Sequence, residues 1–247
     1  MIGKLAQRLF NGLGYNLQKR TGLYQDLDPV FNPIYNKCKP YTMTSIERMY
    51  ALFQSINYIE KNNIPGNIVE CGVWKGGSSM LAALTLSGMK SFERQIYMYD
   101  TYEGMSEPGE KDVDINGNKV NSKWEKVDKS DTLFCYSNFE EVADNMQNKT
   151  DYPFELIKLI KGKVEDTIPS VLPGEIALLR LDTDWYESTY HELKSLYPLL
   201  TKGGVLIIDD YGHWKGAREA VDQYFNEIKV APLLQRIDYT GRMVIKN

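Results

Sequence analysis

Histidine is nearly absent from this 247-residue chain, which has only His191 and His213. A His-rich metal site is therefore excluded, and any hard-cation site has to be built from carboxylates. Cysteine is scarce as well. Cys38, Cys71 and Cys135 are widely spaced with no CxxC, so neither a zinc knuckle nor a disulfide framework is implied, and a reducing cytoplasm is expected. No run approaches the ~18 apolar residues that span a bilayer, so no transmembrane segment is expected. An excess of positive charge is also lacking. The 29 Lys and Arg stand against 33 Asp and Glu, a formal net charge of -4, and nucleic acid is not an expected partner. What is present is a globular composition, 43% hydrophobic and 12% aromatic, enough for one domain around one core.

The N-terminus, MIGKLAQRLFNGLGYNL, has a charged start but no long apolar stretch or small-residue cleavage site, and does not read as a signal peptide. Lys4, Arg8, Lys19 and Arg20 precede the first acid, Asp26, and Ile2, Leu5, Leu9 and Phe10 can share one helix face. Residues 1–40 are expected to form an arm that packs on its own chain or on a partner subunit. A homodimer or higher homo-oligomer in the cytoplasm follows, with peripheral membrane association through the arm as the alternative. Residues 21–41, rich in Pro, Asn and Tyr, read as extended and turn-laden.

From residue 41 to 247 the chain reads as one domain with no internal repeat. Thr44 and Glu47 have capping-box spacing ahead of a helix whose apolar residues are Met49, Leu52, Phe53, Ile56 and Ile59. Short apolar strands follow: NIVEC, IYMYD, FELIKLIKG, EIALLRLD and VLIIDD. Helices are expected between them, around 78–89, over DTLFCYSNFEEVADNMQN, in a turn at EDTIPS, over ESTYHELKSLYPLL and over 215–227. LLQRID and RMVIK form a closing hairpin around Tyr239-Thr240-Gly241. Alternating strands and helices imply a mostly parallel α/β sheet covered on both faces. Residues 101–130, charged and without apolar periodicity, are too long for a passive connection and read as an active-site lid.

Ligands of open α/β sheets bind outside the carboxyl ends of the strands. The first strand ends in Glu70-Cys71-Gly72, and Gly76, Gly77 and Ser78 open the next helix, whose free N–H groups suit a carboxylate. The second strand ends in Asp100, an acceptor for both hydroxyls of a ribose. An adenosine-containing cofactor follows. The GxGxxG spacing of a dinucleotide site is absent. A cofactor with an amino-acid carboxylate and ammonium fits better, with Glu70 or Asp182 near the cation, and S-adenosylmethionine is such a molecule.

The fourth strand ends in Asp182-Thr183-Asp184 and the fifth in Asp209-Asp210-Tyr211. Four carboxylates on one rim repel each other unless a cation joins them, and oxygen-only ligands select Mg2+ or a similar ion. DxD pairs also occur in nucleotide-sugar glycosyltransferases, so that reading stands beside it, as does a non-catalytic cofactor-binding protein of the same fold.

With these motifs in view, NIVECGVWKGGSS, YDTYEGM, LRLDTDWYESTYHELKSLYPLLTKGGVLIIDDYGHWKGAREAVDQYF and the upstream YTMTSIERMYAL resemble the macrocin O-methyltransferase (TylF-like) family over roughly residues 40–247. The resemblance implies a Rossmann-like class I methyltransferase fold, with a mostly parallel seven-stranded sheet and a C-terminal antiparallel hairpin. It implies S-adenosylmethionine- and Mg2+-dependent methylation of a sugar hydroxyl on a natural product or polysaccharide. Asp182, Asp209 and Asp210 match the family's metal ligands, and Asp184 its general base. Glu70, Gly72, Ser78 and Asp100 match its cofactor-binding positions, and Gly162-Lys163 falls where its adenine wall begins. From its place three residues beyond Asp210, His213 either touches the acceptor, serves as an alternative base or is a loop histidine hydrogen-bonded for structure, and Trp185, Tyr186, Tyr211 and Trp214 border the same rim, where they either stack on a sugar or pack.

Overall fold

In the computed structural model, residues 10–13, 24, 26–119 and 134–247 are described. Seven strands form one sheet: β1 (Asn67–Cys71), β2 (Ile96–Asp100), β3 (Ile157–Lys161), β4 (Ile176–Leu181), β5 (Leu200–Ile208), β6 (Gln235–Arg236) and β7 (Arg242–Ile245). Their spatial order is β3-β2-β1-β4-β5-β7-β6. The first five are parallel, and β7 runs antiparallel to both β5 and β6. This is the expected Rossmann-like sheet with its antiparallel C-terminal edge. The order reverses between β1 and β4, so the carboxyl ends of these two strands border the crevice where such sheets bind ligands.

Helices cover both faces. One layer holds α1 (Phe31–Cys38), α2 (Ile46–Lys61), α3 (Gly77–Met89) and α4 (Phe139–Lys149), with Phe53, Ile56, Leu81 and Met146 in its core. The other holds α5 (Val164–Thr167), α6 (Tyr186–Leu196) and α7 (Lys215–Glu227), which bury Leu193, Leu196, Val221 and Phe225 against the sheet. Every residue of β4 is buried. No helix among the described residues is long and apolar enough to cross a membrane.

Three local readings change. Residues 31–38, expected to be extended, form α1, with Pro33 in the first turn, where a missing N–H costs no helical hydrogen bond. The Phe31 ring packs against Tyr50 and Phe53, so this end of the arm belongs to the core. Residues 1–9 and 14–23, which carry most of the arm's bases and apolar face, lie outside the described residues. The cap of α2 is Ser45 rather than Thr44: Ser45 Oγ accepts from the Arg48 amide at 3.2 Å, while Thr44 Oγ1 accepts from Arg180 at 3.1 Å. The helix expected over 131–148 begins only at Phe139, where Asn138 accepts the Glu141 amide at 2.7 Å. Asn138 ends the extended approach because its side chain satisfies an amide at the helix start.

The first part of the expected lid, residues 101–119, lies against the body. The Trp185 indole donates to the Ser106 carbonyl at 2.9 Å, and Asp114 pairs with Trp214 in an isolated antiparallel bridge. Residues 120–130 lie outside the described residues.

Candidate active site

The strand ends converge as the sequence requires. Asp182 donates its backbone N–H to the Cys71 carbonyl at 2.8 Å, which ties the end of β4 to that of β1. Gly72 sits at φ +82°, and a Cβ there would overlap the Asp182 carbonyl oxygen, so no side chain is compatible with this approach. Two recesses open on the rim and share Met43, Trp74 and Asp182.

The first recess, of about 720 Å³, is bordered by Gly72, Trp74, Asp100, Gly162, Lys163 and Thr183. Its partly apolar wall, with the Asp100 carboxylate at its edge, suits a nucleoside. Asp100 does more here than offer oxygens to a ribose. Its Oδ2 accepts the amides of Val73 and Trp74 at 2.6 and 3.0 Å, and its Oδ1 accepts the Tyr102 amide at 2.7 Å. Asp100 thus shapes the loop after β1, and keeps one lone pair, on Oδ1, for a hydroxyl, because the three amides take three of a carboxylate's about four acceptor positions.

The second recess, of about 560 Å³, brings together Glu70, Ser78, Asp182, Asp184, Asp209 and Asp210. Asp182, Asp209 and Asp210 each offer an oxygen within 4.8 Å of the others, close enough to share one cation. These are the three acids expected as metal ligands. The donor set is all oxygen, which fits a hard ion such as Mg2+.

Two arginines, Arg48 and Arg180, complete this recess. Arg180, 3% exposed and next to last in β4, reaches Glu70 at 2.6 Å, Asp209 at 2.7 Å and Asp182 at 2.8 Å. Arg48 pairs with the other oxygen of Asp209 and with Asp238 at 3.0 Å. Each oxygen of Asp209 therefore already accepts from a guanidinium and keeps a second lone pair for a cation. Glu70 gives one oxygen to Arg180 and the other to the Ser79 hydroxyl. The cation that faces Glu70 inside the protein is thus Arg180. Ser78 lines the recess, with its hydroxyl toward the Met49 sulfur at 3.8 Å.

Five carboxylates face two guanidinium groups here, an excess of three negative charges if all are ionised. Burial and the neighbouring acids push the Asp182 and Asp210 carboxyls well above the usual carboxylate range. Asp184 is pushed up to about 7, by burial first and by the charge of Asp182 second, and it hydrogen-bonds Asp210. Its Oδ1 accepts from the Trp214 indole at 2.6 Å. Asp184 has φ +66°, and the Trp185 amide donates to the Thr183 carbonyl across it at 2.7 Å. This is the positive-φ γ-turn, rare and strained, and such strain persists only where the surroundings hold it.

The remaining expected residues lie elsewhere. Trp185 is buried and stands edge-on to Trp214. Tyr211 donates its hydroxyl to Asp222 at 2.7 Å and packs between the guanidinium groups of Arg218 and Arg242. His213 stands edge-on to Trp214, with its Nδ1 buried and unbonded, and burial lowers its pKa. None of the three borders either recess. Sequence reasoning missed Arg48, Arg180 and the 42–43 segment, of which Met43 borders both recesses. One signal was available: Arg180 is the single charge in the strand IALLRL, and a charge buried in such a strand needs acidic partners.

Residues 36–246 match the model of the macrocin O-methyltransferase (TylF) family. The chain is 32% identical over 201 residues to the demethyldecarbamoylnovobiocin O-methyltransferase of Streptomyces niveus, covering 81% of this chain and 74% of the relative. It is 30% identical over 201 residues to a tetracenomycin-C rhamnosyl O-methyltransferase of Streptomyces olivaceus, again covering 81% and 74%. Among solved structures, that of the O-methyltransferase NovP superposes with a TM-score of 0.74 at 27% identity, covering 99% of this chain and 97% of that one. With an acid recess adjoining a partly apolar one at the carboxyl ends of β1 and β4, and with this match over most of its length, the chain belongs to the macrocin O-methyltransferase family.

Proposed function

We propose that this protein transfers a methyl group from S-adenosylmethionine to a hydroxyl of a sugar, on a glycosylated natural product or a polysaccharide, with Mg2+ as its metal and Asp184 as general base. The observation that carries the reading is the acid recess adjoining the partly apolar one across Asp182. In the proposed pose, adenine lies by Gly162 and Lys163, ribose by Asp100, and the methionine carboxylate by the first amides of α3 at Gly77 and Ser78. Family membership favours methylation over the nucleotide-sugar alternative.

The electrostatics support both the cofactor and the metal. With all five carboxylates ionised, the excess of three negative charges in the recess would be offset by a divalent ion together with a cofactor of net charge +1. When bound by Asp182, Asp209 and Asp210, Mg2+ supplies a Lewis acid that lowers the pKa of a hydroxyl oriented beside it. Asp184 would take that proton as the methyl leaves the sulfonium for the sugar oxygen. The Trp214 indole fixes Oδ1 of Asp184, and burial, the largest cause of its raised pKa, makes this carboxylate a stronger base than one in water. Arg48 and Arg180 each hold one oxygen of Asp209 in place beside the recess.

The test uses labelled S-adenosylmethionine with glycosides that carry vicinal diols, with Mg2+ or with EDTA. Turnover is expected with Mg2+ alone. Asp184→Asn should bind S-adenosylhomocysteine normally by calorimetry and lose about 10²–10⁴-fold in kcat. Full activity in EDTA would refute the metal role, full activity of Asp184→Asn the base, and no binding of S-adenosylhomocysteine the whole reading.

A further inference from the structure

Residues 109–114 touch the starts of two helices, and each start adjoins a group placed in the reaction. Neither α6 nor α7 has a capping side chain of its own, at Trp185 or at Trp214. The segment supplies what is missing. Asp112 Oδ1 accepts the Tyr186 amide at 2.8 Å, and the Val113 carbonyl accepts the Lys215 amide at 2.9 Å. The second oxygen of Asp112 accepts the Gly109 amide at 2.7 Å, which folds the segment back on itself. Asp112 is 2% exposed, an unusual burial for an acid with no ion pair among the described residues.

The seat for this carboxylate is built into α7. Gly216 lies against it, and a Cβ there would overlap Asp112 Oδ1 and stand 3.2 Å from Tyr186 Cβ. Lys111 strengthens the docking from outside, with its ammonium 2.8 Å from Glu219 and 3.5 Å over the Tyr186 ring. Tyr186 is two residues past Asp184, and its amide follows the Trp185 amide that closes the strained turn. Trp214, the cap of α7, is the donor to Asp184 Oδ1 and pairs with Asp114. One short segment thus fixes both the backbone and the side-chain partner of Asp184.

We infer that Asp112 is a positioning residue: its carboxylate, seated over Gly216, holds the turn that presents Asp184. This rests on the proposed role of Asp184 as base. Without Asp112 the Tyr186 amide loses its acceptor, the γ-turn relaxes, and the Trp214 to Asp184 hydrogen bond lengthens. The cofactor recess does not include Asp112 and stays intact.

The experiment compares Asp112→Ala, Asp112→Asn and Gly216→Ala with the wild type in two readouts. Methyl-transfer kinetics are expected to show a kcat loss of about 10–100-fold for Asp112→Ala and Gly216→Ala, the scale of a small misplacement at a reacting centre. The affinity for S-adenosylhomocysteine should stay within about twofold, and Asp112→Asn, which keeps an acceptor for the Tyr186 amide, should recover most of kcat. The second readout needs no turnover: the indole N–H resonance of Trp214, assigned with Trp214→Phe, should move in Asp112→Ala and Gly216→Ala. A purely structural role would lower Tm and leave kcat per folded molecule and that resonance unchanged, which would overturn the inference. If Asp112→Ala does not fold, Gly216→Ala and Asp112→Asn decide by the same two measurements. A moved indole resonance in a protein that transfers no methyl to any glycoside would uphold the positioning and refute the assigned reaction.

Discussion

Replacing Arg180 by Met tests the electrostatic account of the site most directly. Methionine keeps most of the side chain's length and removes the charge. Arg180 reaches Glu70, Asp209 and Asp182 within 2.6 to 2.8 Å and is 3% exposed. Glu70 would keep the Ser79 and Ser78 hydroxyls, and Asp209 would keep Arg48. Removing one partner of a buried ion pair typically costs about 3–5 kcal/mol, because the other charge stays in low dielectric without compensation. In a chain of this size each kcal/mol shifts Tm by about 2–4 °C, so a fall of roughly 6–20 °C is expected. Thermal unfolding followed by circular dichroism at pH 7 in EDTA measures it. The loss should shrink as pH falls. Burial already raises the Glu70 carboxyl, Arg180 is the largest influence holding it down, and without Arg180 the group takes a proton more readily. For the same reason Arg180→Met with Glu70→Gln should be more stable than Arg180→Met alone. A fall below about 3 °C for the single variant would refute the claim that Arg180 neutralises this cluster. So would a double variant no better than the single.

Two further outcomes follow from the same geometry. The Asp184 carboxyl is raised from its ordinary 3.8 to about 7, so between these values the folded chain holds a proton that the unfolded chain has lost. Its contribution to stability is therefore full below about pH 4 and fades as pH rises through about 7. In EDTA, Tm of the wild type should fall over this window more steeply than Tm of Asp184→Asn, and parallel curves would refute the shift. Gly72→Ala should lower S-adenosylhomocysteine affinity at least about tenfold, because the new Cβ displaces the Asp182 carbonyl that borders both recesses. Wild-type affinity by calorimetry would refute the close approach of β1 and β4.

Much of the site was legible because its residues sit where strands end. Asp100, Asp182, Asp209 and Asp210 close apolar strands, and in a parallel sheet those ends share one rim. The aromatics of that rim were not legible in the same way. Trp185, Tyr211 and Trp214 look alike in sequence. Only Trp214 turns its indole to Asp184, while Trp185 reaches a loop carbonyl and Tyr211 packs between two guanidinium groups. Rotamers and loop paths decide such directions, and neither has a periodicity to read.

The sequence by itself determined the order of strands and helices, the parallel sheet with its C-terminal hairpin, and the oxygen-only character of the rim. These are properties of hydrophobic period, turn residues and residue chemistry, which are local. The tertiary structure alone decided how the acids are balanced. Arg48 lies on α2 and Arg180 near the end of β4, far in sequence from the acids at 209 and 210, and only packing brings them within a few ångströms. It also decided that Asp112, an acid in a charged loop, is buried over a glycine of α7 beside the start of α6. Charge count is set by composition, but the energy of a charge depends on distance and desolvation, and those exist only in the folded chain.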